Sequence, residues 1–102
     1  MPTVLEMLDM SGRSAIVTGG GTHLGRAMAS ALAELGASVY IASRRAELCE
    51  ETAGELQGLG LDVTGVGCDV TEEAHVDALV DRVMSDRGRL DVMIANSGGA
   101  FT

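Results

Sequence analysis

The chain contains no lysine. All seven basic residues are arginines (Arg13, Arg26, Arg44, Arg45, Arg82, Arg87 and Arg89). That absence excludes a Schiff-base lysine, a lysine phosphate clamp and a lysine that lowers the pKa of a neighbour. Aromatic residues make up only 2 % of the chain, and 15 acidic side chains against those seven arginines give a formal charge of −8. A chain so short of stacking rings and basic runs is not built around nucleic acid. No apolar run approaches the roughly 20 residues of a membrane span, and the opening Met-Pro-Thr-Val-Leu-Glu lacks the cationic start of a secretory leader. A cytoplasmic chain without a membrane anchor is expected. The only two cysteines, Cys49 and Cys68, have no metal-ligand spacing and sit inside periodic segments, which predicts buried or half-buried free thiols rather than a disulfide or a zinc site.

Hydrophobic residues make up 46 % of the 102 positions, a globular composition with room for one domain or part of one. Residues 14–19 form a short apolar run ending in glycines. Leu24, Ala27, Met28, Ala31, Leu32 and Leu35 then recur at helical spacing up to Gly36. A second apolar run, Val39 to Ala42, precedes Leu48, Thr52, Leu56 and Leu59 at helical spacing within 45–59. A third strand is expected around 62–68. Thr71 follows as the expected N-cap of a helix with Glu72 and Glu73 at its positive end and Val76, Leu79, Val80 and Val83 on its buried face. Leu90 to Ala95 reads as a fourth strand running into Asn96-Ser97-Gly98-Gly99.

Strands that are continuously apolar and alternate with helices imply an α/β fold, a doubly wound parallel sheet with helices on both faces. The usual strand order, 3-2-1-4, places the first two helices on one face and the third on the other. Strand four would then be an open apolar edge carrying Val92, Met93, Ile94 and Ala95. Residues 1–102 are therefore expected to be the amino-terminal part of a single domain that continues past strand four.

Candidate site residues cluster where the strands end. Thr18-Gly19-Gly20-Gly21-Thr22-His23-Leu24-Gly25 joins the first strand to the first helix, where glycine permits positive φ and the free N–H groups of the helix start attract phosphate. A P-loop is excluded because Gly-Lys-Ser/Thr is absent. Dinucleotide binding remains. About 20 residues on, where an NAD-binding unit carries an acidic residue for the ribose diol, stands Ser43-Arg44-Arg45. Two guanidiniums suit a 2′-phosphate, so NADP(H) is favoured over NAD(H), with a solvated helix start as the plain alternative. Asp69 ends the third strand and either accepts a hydrogen bond from an adenine amino group or caps the following turn; spacing does not choose between them. Asn96 and Gly98 end the fourth strand, either beside the cofactor's ribose or in an ordinary turn.

Taken together these segments resemble the short-chain dehydrogenase/reductase family, classical branch, over nearly the whole chain. Thr18 to Gly25 is similar to its Thr-Gly-x-x-x-Gly-x-Gly loop, Asp69-Val70 to its adenine-contacting pair, and Leu90-Asp91-Val92 with Ala95-Asn96-Ser97-Gly98 to its Leu-Asp-x-x-x-Asn-Asn-Ala-Gly segment. The sequence departs from the pattern at His23, which replaces the middle glycine of the loop, and at Ala95 and Ser97. The resemblance implies hydride transfer between a nicotinamide and a carbonyl or secondary alcohol by an oligomeric enzyme. It also implies a catalytic serine and a Tyr-x-x-x-Lys pair. The single tyrosine, Tyr40, is followed by Ile41, Ala42, Ser43 and Arg44, so it reads as a packing residue and the chain alone is expected to be inactive. The competing readings are a non-catalytic dinucleotide-binding module and one half of a split protein. His75, early in the third helix, reads as a solvated surface residue.

Overall fold

The computed structural model describes residues 9–19 and 22–95. Seven elements follow one another: β1 (Ser14–Thr18), α1 (His23–Glu34), β2 (Ser38–Ser43), α2 (Ala46–Gln57), β3 (Val63–Gly67), α3 (Glu73–Arg87) and β4 (Val92–Ile94). The strands form one parallel sheet in the order β3-β2-β1-β4. Ile16 is paired with Tyr40 on one side and Met93 on the other. Strand order, parallel pairing and all seven elements match the sequence-based expectation, although β4 is shorter than the expected 90–95. Among the described residues no helix is long and apolar enough to cross a membrane.

Alternate strand residues build two separate cores, as the two-faced sheet requires. Ala15, Val17, Val39, Ile41 and Val63 pack with Ala29 and Ala33 of α1 and with Cys49, Ala53 and Leu56 of α2. Ile16, Tyr40 and Ala42 point the other way, onto Leu79 and Val83 of α3. Two helices thus cover one face and one helix the other. Both thiols are free and buried.

The buried stripes of the first two helices differ in part from those the sequence suggests, although Thr52 and Leu56 of α2 are buried as expected. In α1 the buried residues are Gly25, Ala29 and Ala33, while Leu24 is 55 % exposed. In α2 they are Cys49, Thr52, Ala53 and Leu56, whereas Leu59 lies beyond the helix end and is exposed. The reason is close approach: small residues at the helix–sheet contact let the backbones come together, so the larger leucines fall to the flanks. Gly65 of β3 shows how tight the contact is, since a Cβ there would lie 2.5 Å from the Cys49 carbonyl oxygen. The third helix keeps its expected face, with Leu79 and Val83 buried and Val76 and Val80 packed against them. Its expected N-cap is corrected. Glu72 occupies that position without a side-chain cap bond, because the Thr71 hydroxyl donates instead to Asp69 Oδ1 (2.6 Å). Gly88, at φ 78°, closes the helix in the left-handed conformation that glycine tolerates.

At the amino ends of the strands, polar groups are tied to one another. The Ser14 N–H donates to Asp91 Oδ2 (3.0 Å), and Arg89 forms an ion pair with the same carboxylate. Asp62 accepts from the Ser38 hydroxyl (2.6 Å) and from Arg87 (3.2 Å). Tyr40 is the packing residue its sequence context implies, 1 % exposed. Its hydroxyl donates to Asp86 Oδ2 (2.8 Å) and accepts from Arg87 Nε (3.2 Å).

Candidate functional site

The sheet reverses its winding between β1 and β4: the chain steps from β1 outward through β2 and β3, then crosses back to β4 on the far side of β1. In such sheets ligands lie beyond the carboxyl ends of the strands at this point. The structure brings most of the expected site residues to that rim, namely Gly19 after β1, Ser43, Arg44 and Arg45 at and after β2, and Asp69 and Val70 after β3. Gly21, Asn96 and Gly98 lie outside the described residues.

After β1 the chain turns at Gly19, whose φ of 69° explains why glycine is needed there. Its N–H donates to the Ala42 carbonyl (2.7 Å), fixing the loop's origin to β2. Its carbonyl accepts from the Thr22 N–H (3.0 Å) and hydroxyl (2.7 Å). The Thr22 oxygen in turn accepts from the Gly25 N–H (3.0 Å), which makes Thr22 the N-cap of α1. No acidic residue occupies the first turn of α1, so the positive end of its dipole is not neutralised locally. His23 opens the helix. No non-glycine residue among those described has positive φ, so the histidine replaces the family's middle glycine without backbone strain. His23 and Leu24 are exposed, while Gly25 is buried in the helix–sheet contact.

At the end of β2, the Ser43 hydroxyl oxygen accepts from the Arg45 N–H (3.0 Å) and from the Cys49 thiol (3.4 Å). With both acceptor positions used, the hydroxyl's own proton is directed elsewhere. Arg44 and Arg45 are exposed, and among the described residues neither guanidinium has an ion-pair partner. They also border an open depression of about 490 Å³ that includes Glu47 and Glu51. Those carboxylates make the depression itself a poor anion site.

After β3, Asp69 Oδ1 accepts from the Thr71 hydroxyl (2.6 Å) and N–H (2.9 Å). These two bonds, joined by the charge of Arg44, hold its carboxyl below the usual carboxylate range. Oδ2 has no partner among the described residues. Val70 beside it is 36 % exposed. Burial, with the Asp69 charge adding to it, pushes the Cys68 thiol up, which suits a packing residue and not a nucleophile. Tyr40 is far from base strength as well, its phenol pushed up by burial first and then by the Asp86 hydrogen bond.

The sequence did not reveal the part played by His75. Its Nδ1 accepts a hydrogen bond from the Asp69 N–H (3.1 Å), so this exposed side chain holds the backbone of a candidate site residue. The only signal was a histidine six positions after the strand-ending aspartate, which spacing alone does not distinguish from a surface residue.

Residues 13–102 match the model of the short chain dehydrogenase family. The chain is 35 % identical over 94 residues to the 7alpha-hydroxysteroid dehydrogenase of Escherichia coli (strain K12), covering 92 % of this chain and 37 % of that protein. It is 47 % identical over 92 residues to a hexahydroindene-carboxyl-CoA reductase of Mycobacterium tuberculosis, covering 87 % of this chain and 35 % of that one. Among solved structures, an Escherichia coli hydroxysteroid dehydrogenase superposes with a TM-score of 0.85 at 35 % identity, over 90 % of this chain and 39 % of that one. The chain thus spans little more than a third of the length of these relatives.

Proposed function

This chain belongs to the short-chain dehydrogenase family, and we propose that it forms the dinucleotide-binding part of an NADP(H)-dependent oxidoreductase acting on a carbonyl or secondary alcohol. The observation that carries the cofactor choice is the pair of exposed arginines after β2, neither in an ion pair among the described residues and both adjoining a serine whose hydroxyl proton is left to donate. Such a set suits the charge and the acceptor oxygens of a 2′-phosphate, which a bare ribose diol does not require. The same reading gives the pyrophosphate to the loop from Gly19 through Gly21 and to Thr22, His23, Leu24 and Gly25 at the start of α1. It gives the adenine to Asp69 and Val70, and the neighbouring ribose to Asn96 and Gly98. When bound, the nicotinamide supplies or accepts the hydride; these residues bind and orient the dinucleotide.

A phenol with an ordinary pKa of about 10 needs a cationic neighbour to act as a base at neutral pH. Tyr40 is committed to a structural network and the chain has no lysine. In this reading the catalytic serine, tyrosine and lysine belong to the further length that the relatives possess, and the 102 residues alone transfer no hydride. Family membership likewise carries the expectation of a cytoplasmic homo-oligomer.

The test is to replace Arg44 and Arg45 together by alanine in the full-length protein and titrate NADPH and NADH separately. Loss of two charge-assisted contacts predicts NADPH weakened on the order of a hundredfold, with NADH changed by less than about threefold. Equal losses for both cofactors would refute the 2′-phosphate assignment.

A further inference from the structure

The turn between β3 and α3 is fixed from two directions. Thr71 holds the Asp69 carboxylate through Oδ1 (2.6 and 2.9 Å), and His75 holds its main chain, Nδ1 accepting from the Asp69 N–H at 3.1 Å. The main chain that carries this imidazole is itself set in the first turn of α3, where the His75 backbone N–H donates to the Glu72 carbonyl (3.0 Å). We infer that His75 is a positioning residue for the adenine end of the dinucleotide site, setting the Asp69 main chain so that Oδ2 and Val70 face the base. The inference rests on the cofactor reading above.

The arrangement requires Nδ1 to be free of a proton. Once protonated, that nitrogen becomes a donor facing another donor, and the bond to the Asp69 N–H is lost. The charged groups around the imidazole are the Asp69 carboxylate, Arg44 at the end of β2, which acts on that carboxylate, and Glu72 and Glu73 at the start of α3. Asp69 keeps its charge across the interval in which an imidazole titrates, since Thr71 holds its carboxyl low.

The experiment measures NADPH dissociation constants for the full-length protein and its H75A, H75N and D69A variants from about pH 8 to about pH 5.5. At the upper end, H75A should bind roughly fivefold more weakly, as expected for one lost hydrogen bond. H75N, whose amide oxygen accepts in place of Nδ1, should restore binding. As pH falls, the unmodified protein should weaken more steeply than H75N. The cofactor's own 2′-phosphate protonates in the same interval, but equally for both proteins, so the difference between them isolates the histidine. Unchanged binding by H75A, or identical pH profiles for H75N and the unmodified protein, would overturn the inference. D69A separates it from the reading beneath it. If D69A binds NADPH undiminished, the adenine assignment fails and the inference with it; if D69A is weak while H75A is not, only the inference fails.

Discussion

The two rims of the sheet use the same kinds of residues in opposite ways. At the amino rim arginine, aspartate and hydroxyl groups satisfy each other: Arg89 with Asp91, Arg87 with Asp62 and Tyr40, and Asp91 with the Ser14 N–H. At the carboxyl rim Arg44 and Arg45 have no ion-pair partner among the described residues, Asp69 keeps one oxygen free, and a glycine holds positive φ. Polar groups consumed by one another contribute to stability, whereas groups held in place but left uncommitted are available to a ligand. Substitutions at the two rims should therefore move different measurements.

The substitution expected to act most strongly lies between the rims. Gly65→Ala puts a methyl group 2.5 Å from the Cys49 carbonyl oxygen and 2.8 Å from the Glu50 nitrogen, and these backbone atoms cannot rotate away. It should cost about 3 kcal/mol in urea denaturation and disturb cofactor binding too, because Cys49 also donates to Ser43. A neutral result would show that α2 can shift outward freely. Tyr40→Phe is milder and confined to the amino rim. Removing the hydroxyl leaves Asp86 with Arg82 and Arg87 with Asp62, with a cost of about 1 kcal/mol and no change in NADPH affinity. An affinity change would mean that the rims are coupled.

The smallest effect is set by pH. Asp91 has its carboxyl lowered by the Arg89 ion pair first and the Ser14 N–H second. Because the folded value lies below the ordinary 3.8, its stabilising contribution is complete above that pH and disappears as pH falls through the folded value. Asp91→Asn should flatten the dependence of the urea midpoint between about pH 5 and about pH 2.5. A midpoint with an unaltered pH dependence in the variant would remove Asp91 from the amino-rim network.

Element order, parallel pairing and the allocation of helices to faces were legible because they depend on short apolar runs and on the handedness of crossovers. The buried stripes of α1 and α2 were less so. Helix–sheet contacts this close select Gly25, Ala29, Ala33 and Ala53, residues that contribute little to a pattern read from large apolar side chains. The start of α3 was obscured by competition for one hydroxyl, since Thr71 serves Asp69 rather than the helix. In the candidate site, strand ends and turn glycines pointed to Gly19, Ser43, Arg44, Arg45 and Asp69, because these features recur locally in sequence. The tether from His75 to the Asp69 main chain was invisible because it depends on a side-chain angle that no residue pattern records.

The placement of β1 has a consequence for synthesis. This strand is made first and lies inside the sheet, with β2 on one side and β4 on the other. The bond from Ser14 to Asp91 spans 77 positions. At ribosomal speeds of about 5–20 residues per second, the β4 side of β1 stays bare for on the order of ten seconds after the strand emerges. During that interval Ala15, Ile16 and Val17 offer an apolar edge to any passing strand. A nascent chain stalled before β4 should therefore engage chaperones that release it once residues 92–94 have cleared the exit tunnel.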